Sequence, residues 1–212
     1  FAVNKFNLVI VSRNESKLKE VSESLINEFN VNVKLISKDL SKSNAAKEIY
    51  DEITSENINI NILVNNAGFG IHGAFSETDL NENIEMIQLN ITSLVTLTRL
   101  FLNDMIKHSS GKIMNVASTA AFQPGPMMAM YYATKSFVLS FSEAIGEELS
   151  NTNINVTALC PGPTKTEFQD RAGINKIKLG SRNLFPMMTA GDVARIGFEG
   201  LMKGKRIVIP GV

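Results

Sequence analysis

The sequence predicts a doubly wound α/β fold, in which helices cover both faces of a parallel sheet. Short apolar runs of strand length alternate six times with segments of helical periodicity. The runs are apolar throughout rather than alternating with polar residues, which is typical of strands buried on both faces. The 212 residues suit one domain, and no linker or low-complexity tract divides them. We therefore expect a single domain over residues 1–212.

The first strand and helix set the pattern for the rest of the chain. Residues 7–12 form a β-branched run, and Asn14 is then a suitable N-cap for a helix over residues 15–28. Residues 167–189 form a long connection of weak periodicity, as functional or mobile loops often do. Further strands are predicted at residues 32–37, 60–65, 112–116, 155–159 and 206–209, and further helices at residues 43–54, 81–108, 130–149 and 190–203.

The composition excludes several kinds of partner. Twenty-one basic residues balance 21 acidic ones, so the sequence predicts no basic surface for nucleic acid. The apolar runs are far shorter than the roughly 20 residues that cross a bilayer, so no membrane span is expected. Cys160 is the single cysteine and no signal-peptide pattern opens the sequence, which together favour the reducing cytoplasm.

One residue pair suggests acid–base chemistry. Tyr131 and Lys135 stand four residues apart near the start of a predicted helix, which places them on one face. A free tyrosine has a pKa of about 10, and a nearby ammonium favours its phenolate form. The spacing alone is a weak signal, because it often arises by chance. Tyr132 lacks this spacing and is expected to serve packing.

Four further motifs accompany this pair in a fixed order. They are Asn65-Asn66-Ala67-Gly68 after the third strand, Asn90 in the following helix, Ser118 after the fourth strand and Pro161-Gly162 after the fifth. Together with Tyr131-Tyr132-Ala133-Thr134-Lys135, these motifs resemble the short-chain dehydrogenase/reductase family over most of the chain. The resemblance implies a Rossmann-type fold and hydride transfer between a nicotinamide cofactor and a carbonyl or alcohol substrate.

The same resemblance implies roles for four catalytic residues. Tyr131 would be the general acid that protonates the carbonyl oxygen, and Ser118 would hold that oxygen. Lys135 would bind the nicotinamide ribose and favour the phenolate form of Tyr131. Asn90 would anchor a water that relays protons from solvent.

The cofactor is predicted to be NADP(H). Arg13 ends the first strand, where an acidic residue would bind an unphosphorylated ribose and an arginine accommodates a 2′-phosphate; a solvated arginine at a helix start is the alternative. By resemblance, Asp39 would accept a hydrogen bond from the adenine, with Leu40 beside the ring, although Asp39 could instead cap a turn. Besides Tyr131 and Lys135, the remaining cofactor contacts implied by the resemblance are Asn66, Ala67, Gly68, Pro161, Gly162, Thr164 and Thr166.

The sequence departs from the family at its start. The first strand and the glycine-rich phosphate turn, TGxxxGxG, are absent, and residues 1–5 look like the end of the helix that follows that turn. We therefore expect a domain truncated at the N-terminus, and slightly beyond residue 212, with unpaired strand edges and weakened pyrophosphate binding. A truncated or degenerate noncatalytic protein that binds a nucleotide or another protein is the alternative function.

The expected substrate is a hydrophobic ketone or aldehyde. Four residues near the predicted site and the segment 168–188 offer apolar, adaptable surface, although the methionines could instead fill core gaps. A subgroup resemblance points to steroid-like or long-chain ketoacyl substrates, and the two long helices resemble those of a family homodimer or homotetramer. His72 has no second ligand at metal-binding spacing, so no metal is expected. The four residues are Phe122, Met127, Met128 and Met130.

Overall fold

The computed structural model describes residues 1–166, 168, 172–173 and 187–211. Strands and helices alternate as the sequence predicts, and most boundaries agree within two residues. The strands are β1 (Leu8–Ser12), β2 (Val33–Ser37), β3 (Ile62–Asn65), β4 (Gly111–Val116), β5 (Ile154–Leu159), β6 (Thr164–Lys165), β7 (Met188–Thr189) and β8 (Ile207–Val208). The α-helices are α1 (Glu15–Phe29), α2 (Ala45–Ser55), α3 (Leu80–Ile87), α4 (Ser93–Lys107), α5 (Ala129–Glu148) and α6 (Ala190–Met202).

The parallel sheet is divided into two parts. One part has the strand order β3-β4-β5-β8, and β1 pairs separately with β2. Among the described residues no ladder joins β1 to β3, which agrees with the unpaired edges predicted from the absence of the first strand. The short pair β6 and β7 was not predicted, because two-residue strands carry no periodic signal.

Side-chain packing holds the two parts of the sheet together. Ile36 of β2, Ile49 of α2, Phe101 of α4 and Ile113 of β4 belong to one buried cluster, and Val9 of β1 packs against it. Helices α2 and α4 thus cover the same face of both parts. Burial of apolar side chains does not depend on a continuous ladder of backbone hydrogen bonds.

The helix predicted over residues 81–108 extends from Leu80 to Lys107, but its middle turn is not α-helical, which the prediction did not include. A π-helical turn, Gln88–Thr92, separates α3 from α4 and contains Asn90. Such turns insert one residue into the helical ladder and often occur at functional sites. Apolar periodicity does not reveal them, because the pattern on either side stays helical.

Two further predictions concern residues 1–5 and the connection at residues 167–189. Residues 2–4 form a 3₁₀ turn capped by Lys5, where the end of a helix was predicted, and Phe1 packs edge-on against Phe198 with 5.0 Å between ring centroids. Most of the connection predicted at residues 167–189 lies outside the described residues, and β7 occupies its end. Within the part of the chain that the structure describes, no helix is both long and apolar enough to span a membrane.

Candidate active site

The four predicted catalytic residues come together at the carboxyl ends of β3 and β4. Ser118 follows β4, Tyr131 and Lys135 occupy the first turns of α5, and Asn90 lies in the π turn. A side chain at Gly68 would place its Cβ 3.0 Å from Asn90 Oδ1 and 3.5 Å from Lys135 Nζ. Because Gly68 has no side chain, the strand-end turn after β3 can lie close to Asn90 in the π turn and to Lys135 in α5.

Ser118 is fixed by contacts on both sides of its hydroxyl. Its Oγ donates to the Pro161 carbonyl oxygen at 3.3 Å and accepts from the Ala120 backbone N–H at 3.1 Å. The Thr119 N–H also donates to the Pro161 carbonyl, at 2.9 Å. These bonds join the ends of β4 and β5 and leave the serine hydroxyl at the site.

The Tyr131 phenol is held in its protonated form. Burial raises the pKa of Tyr131 above its ordinary value, and a hydrogen bond with Ser118 opposes this rise without reversing it. The pKa is thus raised rather than lowered, although Lys135 Nζ lies 5.9 Å from the ring centroid. A raised pKa suits a proton donor at neutral pH.

Lys135 carries a buried ammonium. The residue is 6% exposed, and its Nζ donates to the Val116 carbonyl oxygen at 2.7 Å. Burial lowers the pKa of Lys135 to about 8, and the electrostatic interaction with Cys160 opposes this shift. A cation at this depth needs polar partners, and the last carbonyl of β4 supplies one.

The Asn90 side chain makes hydrogen bonds to the backbone of the strand-end turn that follows β3. Its Oδ1 accepts from the Phe69 N–H at 3.1 Å, while its Nδ2 donates to the Phe69 carbonyl oxygen at 2.9 Å and to Thr134 Oγ1 at 3.1 Å. Both amide hydrogens are therefore engaged. One lone pair of Oδ1 and the backbone remain for the water that the sequence analysis expects.

The predicted adenosine contacts lie at the ends of β1 and β2. Arg13 is exposed directly after β1, and the Ser41 N–H and hydroxyl both donate to Asp39 Oδ1, at 3.0 and 2.8 Å. Burial by itself would raise the pKa of Asp39, but these hydrogen bonds and the charges of Arg13 and Lys42 lower it below its ordinary value. Asp39 therefore does cap a turn, and Leu40 beside it packs partly against the core.

The remaining predicted cofactor contacts lie on two loops at the same edge. Asn66 and Ala67 are exposed after β3. After β5, Thr164 Oγ1 donates to the Gly162 carbonyl at 2.9 Å, and Thr166 Oγ1 accepts from the Phe168 N–H at 3.2 Å. The exposed first loop and the close approach at Gly68 leave room for a nicotinamide cofactor at this edge.

The apolar residues predicted around the site divide into two groups. Phe122 and Met127 are exposed, whereas Met130 packs with the buried cluster of Phe69, Met86 and Leu89. A methyl group on Gly70 would lie 3.0–3.1 Å from the Phe168 and Tyr131 rings and from Met128. The Tyr132 ring packs directly against Gly125, where any side chain would overlap it, and this contact fits the packing role expected for Tyr132.

Sequence reasoning gave no role to several residues of this region. Phe168 lies 5.2 Å from Tyr131 between ring centroids, and Thr134 bonds to Asn90. Asn65 Nδ2 donates to Thr98 Oγ1 at 2.9 Å and to Asn115 Oδ1 at 2.8 Å, both buried. The available signal was an asparagine directly after a run of apolar residues in each of two strands, ILV in β3 and IM in β4, which indicates a buried polar partner.

A known protein family matches most of the chain. The family model described as short chain dehydrogenase matches residues 1–176. The chain therefore belongs to the short-chain dehydrogenase/reductase family, and its Rossmann-like fold with a parallel sheet is confirmed.

Individual relatives include enzymes that act on large substrates. The chain is 36% identical over 160 residues to the very-long-chain 3-oxoacyl-CoA reductase of Rattus norvegicus, covering 73% of this chain and 50% of that protein. It is 35% identical over 162 residues to the 17-beta-hydroxysteroid dehydrogenase type 3 of Mus musculus, covering 73% and 51%. The chain thus spans about half the length of these curated relatives.

Among solved structures, a short-chain dehydrogenase from Sphingobium yanoikuyae in complex with NADPH is similar over the whole chain. The identity is 30%, the TM-score is 0.90, and the match covers 100% of this chain and 81% of that one.

Proposed function

We propose that this protein reduces a hydrophobic ketone or aldehyde to an alcohol with NADPH, using Tyr131 as the general acid. The observation that carries the proposal is the joint placement of a protonated Tyr131, the Ser118 hydroxyl and the Lys135 ammonium at one strand edge. Membership of an oxidoreductase family supports the reaction class.

Each site residue would have a separate role in proton transfer. The Ser118 hydroxyl would turn from the Pro161 carbonyl to donate its hydrogen to the substrate carbonyl oxygen, and Tyr131 would give its proton to that oxygen as negative charge develops there. Lys135, 5.9 Å from the phenol ring, would stabilise the phenolate that remains. Asn90 would anchor the water through which Tyr131 is reprotonated. NADPH, when bound, supplies the hydride to the carbonyl carbon.

Two charged residues support NADPH as the cofactor. Arg13 would pair with the 2′-phosphate at the end of β1, and Asp39 would accept from the adenine amino group through the oxygen that Ser41 does not use. Lys135 and Tyr131 would contact the nicotinamide ribose. The loops at Asn66–Gly68 and Pro161–Thr166 would hold the nicotinamide, the latter through its carboxamide. The NADPH complex of the Sphingobium relative supports the same choice.

Exposed apolar side chains and the names of two relatives support the proposed substrate class. Phe122 and Met127, 52% and 46% exposed, flank the site in the loop that leads to α5. Polar or charged substrates would gain little from these side chains. The names of the two curated relatives support a long-chain 3-oxoacyl or a steroid ketone.

An oligomer and a cytoplasmic location belong to the same proposal. Phe137 on α5 is 40% exposed and stacks on Phe141 with 5.8 Å between ring centroids. The exposed ring of Phe137, stacked on the half-buried Phe141, supports a homodimer or homotetramer through this helix. The cytoplasmic location remains a prediction from the sequence.

The test compares the two adjacent tyrosines in the full-length protein. Oxidation of NADPH is followed at 340 nm with 3-oxoacyl-CoA, steroid ketone and aldehyde substrates. Tyr131→Phe should lower kcat by about 1,000-fold and leave the Kd for NADPH within about threefold of wild type. Tyr132→Phe, the matched control, should stay within about threefold of wild type in both.

Three results would contradict the proposal. They are equal loss in both variants, wild-type turnover in Tyr131→Phe, and NADPH binding without turnover of any carbonyl by the wild-type protein. The last result would support the noncatalytic alternative.

A further inference from the structure

We infer that Thr134 is a positioning residue, whose hydroxyl fixes the catalytic turn of α5 against the strand-end turn at Phe69. This inference rests on the proposed function for its kinetic part. Thr134 lies between Tyr131 and Lys135 on α5 and is 1% exposed.

The hydroxyl of Thr134 makes two hydrogen bonds of different kinds. It donates to the Tyr131 carbonyl oxygen at 2.8 Å and accepts from Asn90 Nδ2 at 3.1 Å. Asn90 in turn makes hydrogen bonds to both the backbone N–H and the carbonyl oxygen of Phe69. A continuous chain of hydrogen bonds therefore runs from Phe69 through Asn90 and Thr134 to the backbone of Tyr131.

The helix itself does not require this hydroxyl. A carbonyl inside an α-helix has its ordinary partner in the N–H four residues later, so the Tyr131 carbonyl needs no bond from Thr134 for helix formation. Asn90, by contrast, would lose the acceptor of its second amide hydrogen if Thr134 had no hydroxyl. A buried donor without a partner is costly, so the π turn and α5 would shift relative to each other.

Such a shift would act directly on the reacting groups. A Cβ added at Gly68 would lie only 3.0 Å from Asn90 Oδ1 and 3.5 Å from Lys135 Nζ, so these two side chains have little space in which to rearrange. The Tyr131 phenol also depends on its hydrogen bond with Ser118, which lies on a different element. Misplacement of a catalytic group by a fraction of an ångström lowers kcat more than it weakens binding.

The chain offers both a conservative variant and a matched control. Thr134→Val removes the hydroxyl at constant shape, whereas Thr134→Ser keeps it. Thr157→Val is the control, because Thr157 on β5 is also fully buried and also donates to a backbone carbonyl, that of Lys205, at 2.7 Å. Each variant is made in the full-length protein, with and without Tyr131→Phe.

Kinetics form the first measurement. Thr134→Val should lower kcat for carbonyl reduction by about tenfold or more, with KM and the Kd for NADPH within about threefold of wild type. Thr134→Ser should restore kcat to within about threefold. Thr157→Val should keep the wild-type kcat while lowering the thermal midpoint as much as Thr134→Val does.

Ionisation of Tyr131 forms the second measurement and needs no turnover. The absorbance change at 295 nm on raising pH is compared between each variant and its Tyr131→Phe counterpart. The groups that face the phenol are Ser118, Tyr132 and Lys135, with Cys160 near the ammonium. Weakening of the Ser118 bond in Thr134→Val should raise the midpoint by about half a pH unit, and Thr134→Ser should not.

Different outcomes separate this inference from the proposed function. The inference would be overturned if Thr134→Val kept the wild-type kcat or the wild-type midpoint of Tyr131 ionisation. It would also be overturned if Thr134→Ser failed to restore kcat, or if Thr157→Val lost as much kcat as Thr134→Val. If the wild-type protein reduces no carbonyl, the proposed function fails, and the ionisation midpoints still decide whether Thr134 positions Tyr131.

Discussion

The ammonium of Lys135 donates a 2.7 Å hydrogen bond to the carbonyl oxygen of Val116, the last residue of β4. This bond ties the first turns of α5 to the end of a central strand. It also places a buried cation close to the Tyr131 ring, at a cost in desolvation that lowers the pKa of Lys135 to about 8. Burial of this cation therefore costs folding stability.

Replacement of Lys135 should change how stability depends on pH. Because the pKa is about 8 in the folded protein and 10.5 ordinarily, the unfolded chain binds more protons between these values. Stability of the wild-type protein should therefore rise, relative to Lys135→Met, by up to about 3 kcal/mol between pH 8 and 10.5. Urea unfolding of both proteins across this range provides the measurement. A difference in unfolding free energy that is independent of pH would show that Lys135 is not buried as a cation.

Arg13 should decide the choice between the two nicotinamide cofactors. Arg13→Ala removes the charge that would pair with the 2′-phosphate, so the Kd for NADPH should rise by about tenfold or more while that for NADH changes little. Fluorescence titration with both cofactors measures this. Arg195→Ala is the control, because Arg195 is an exposed arginine on α6 that pairs with Glu199. Equal weakening of NADPH and NADH binding by Arg13→Ala would argue against a phosphate contact.

Gly68 should be intolerant of a single methyl group. In Gly68→Ala the new Cβ would lie 3.0 Å from Asn90 Oδ1, so the asparagine or the turn must move and carbonyl reduction should fall at least tenfold. Gly146→Ala is the comparison, because Gly146 is in α5 and its nearest neighbour would be 3.7 Å away. That variant should keep full activity and gain about 0.5–1 kcal/mol in unfolding free energy. Full activity in Gly68→Ala would refute the close approach.

The buried asparagines should contribute to stability as a connected set. Asn115 accepts from Asn65 and donates to Ser142 Oγ at 2.9 Å, and all three residues are buried. Asn115→Leu should lower the unfolding free energy by about 2–3 kcal/mol, because it leaves buried partners unsatisfied. In a double-mutant cycle with Ser142→Ala, the combined loss should be about 1 kcal/mol smaller than the sum. Strict additivity would mean that the two side chains do not interact.

Much of this architecture follows from local features of the sequence. Continuous apolar runs such as residues 8–11 in β1 predict strands of a covered sheet, and Asn14 starts α1 by accepting from the Lys17 N–H at 3.0 Å. The spacing of Tyr131 and Lys135 placed both at one site, because the helical repeat brings residues four apart onto one face. The pairing of β1 with β2 alone was likewise expected from residues 1–212, in which the sequence predicts no strand to lie between β1 and β3.

Other features depend on partners that are distant in the chain. Apolar periodicity continues through the π turn, so the contact of Asn90 with Phe69 appears only when β3 and the helix pack together. The raised pKa of Tyr131 likewise reflects burial, which depends on the whole fold and outweighs the hydrogen bond from Ser118. Sequence by itself therefore determined the elements and the chemical groups of the site, because propensity, spacing and capping act over a few residues. Tertiary structure decided their protonation and hydrogen-bond partners, because desolvation and contact between separate elements exist only in the folded chain.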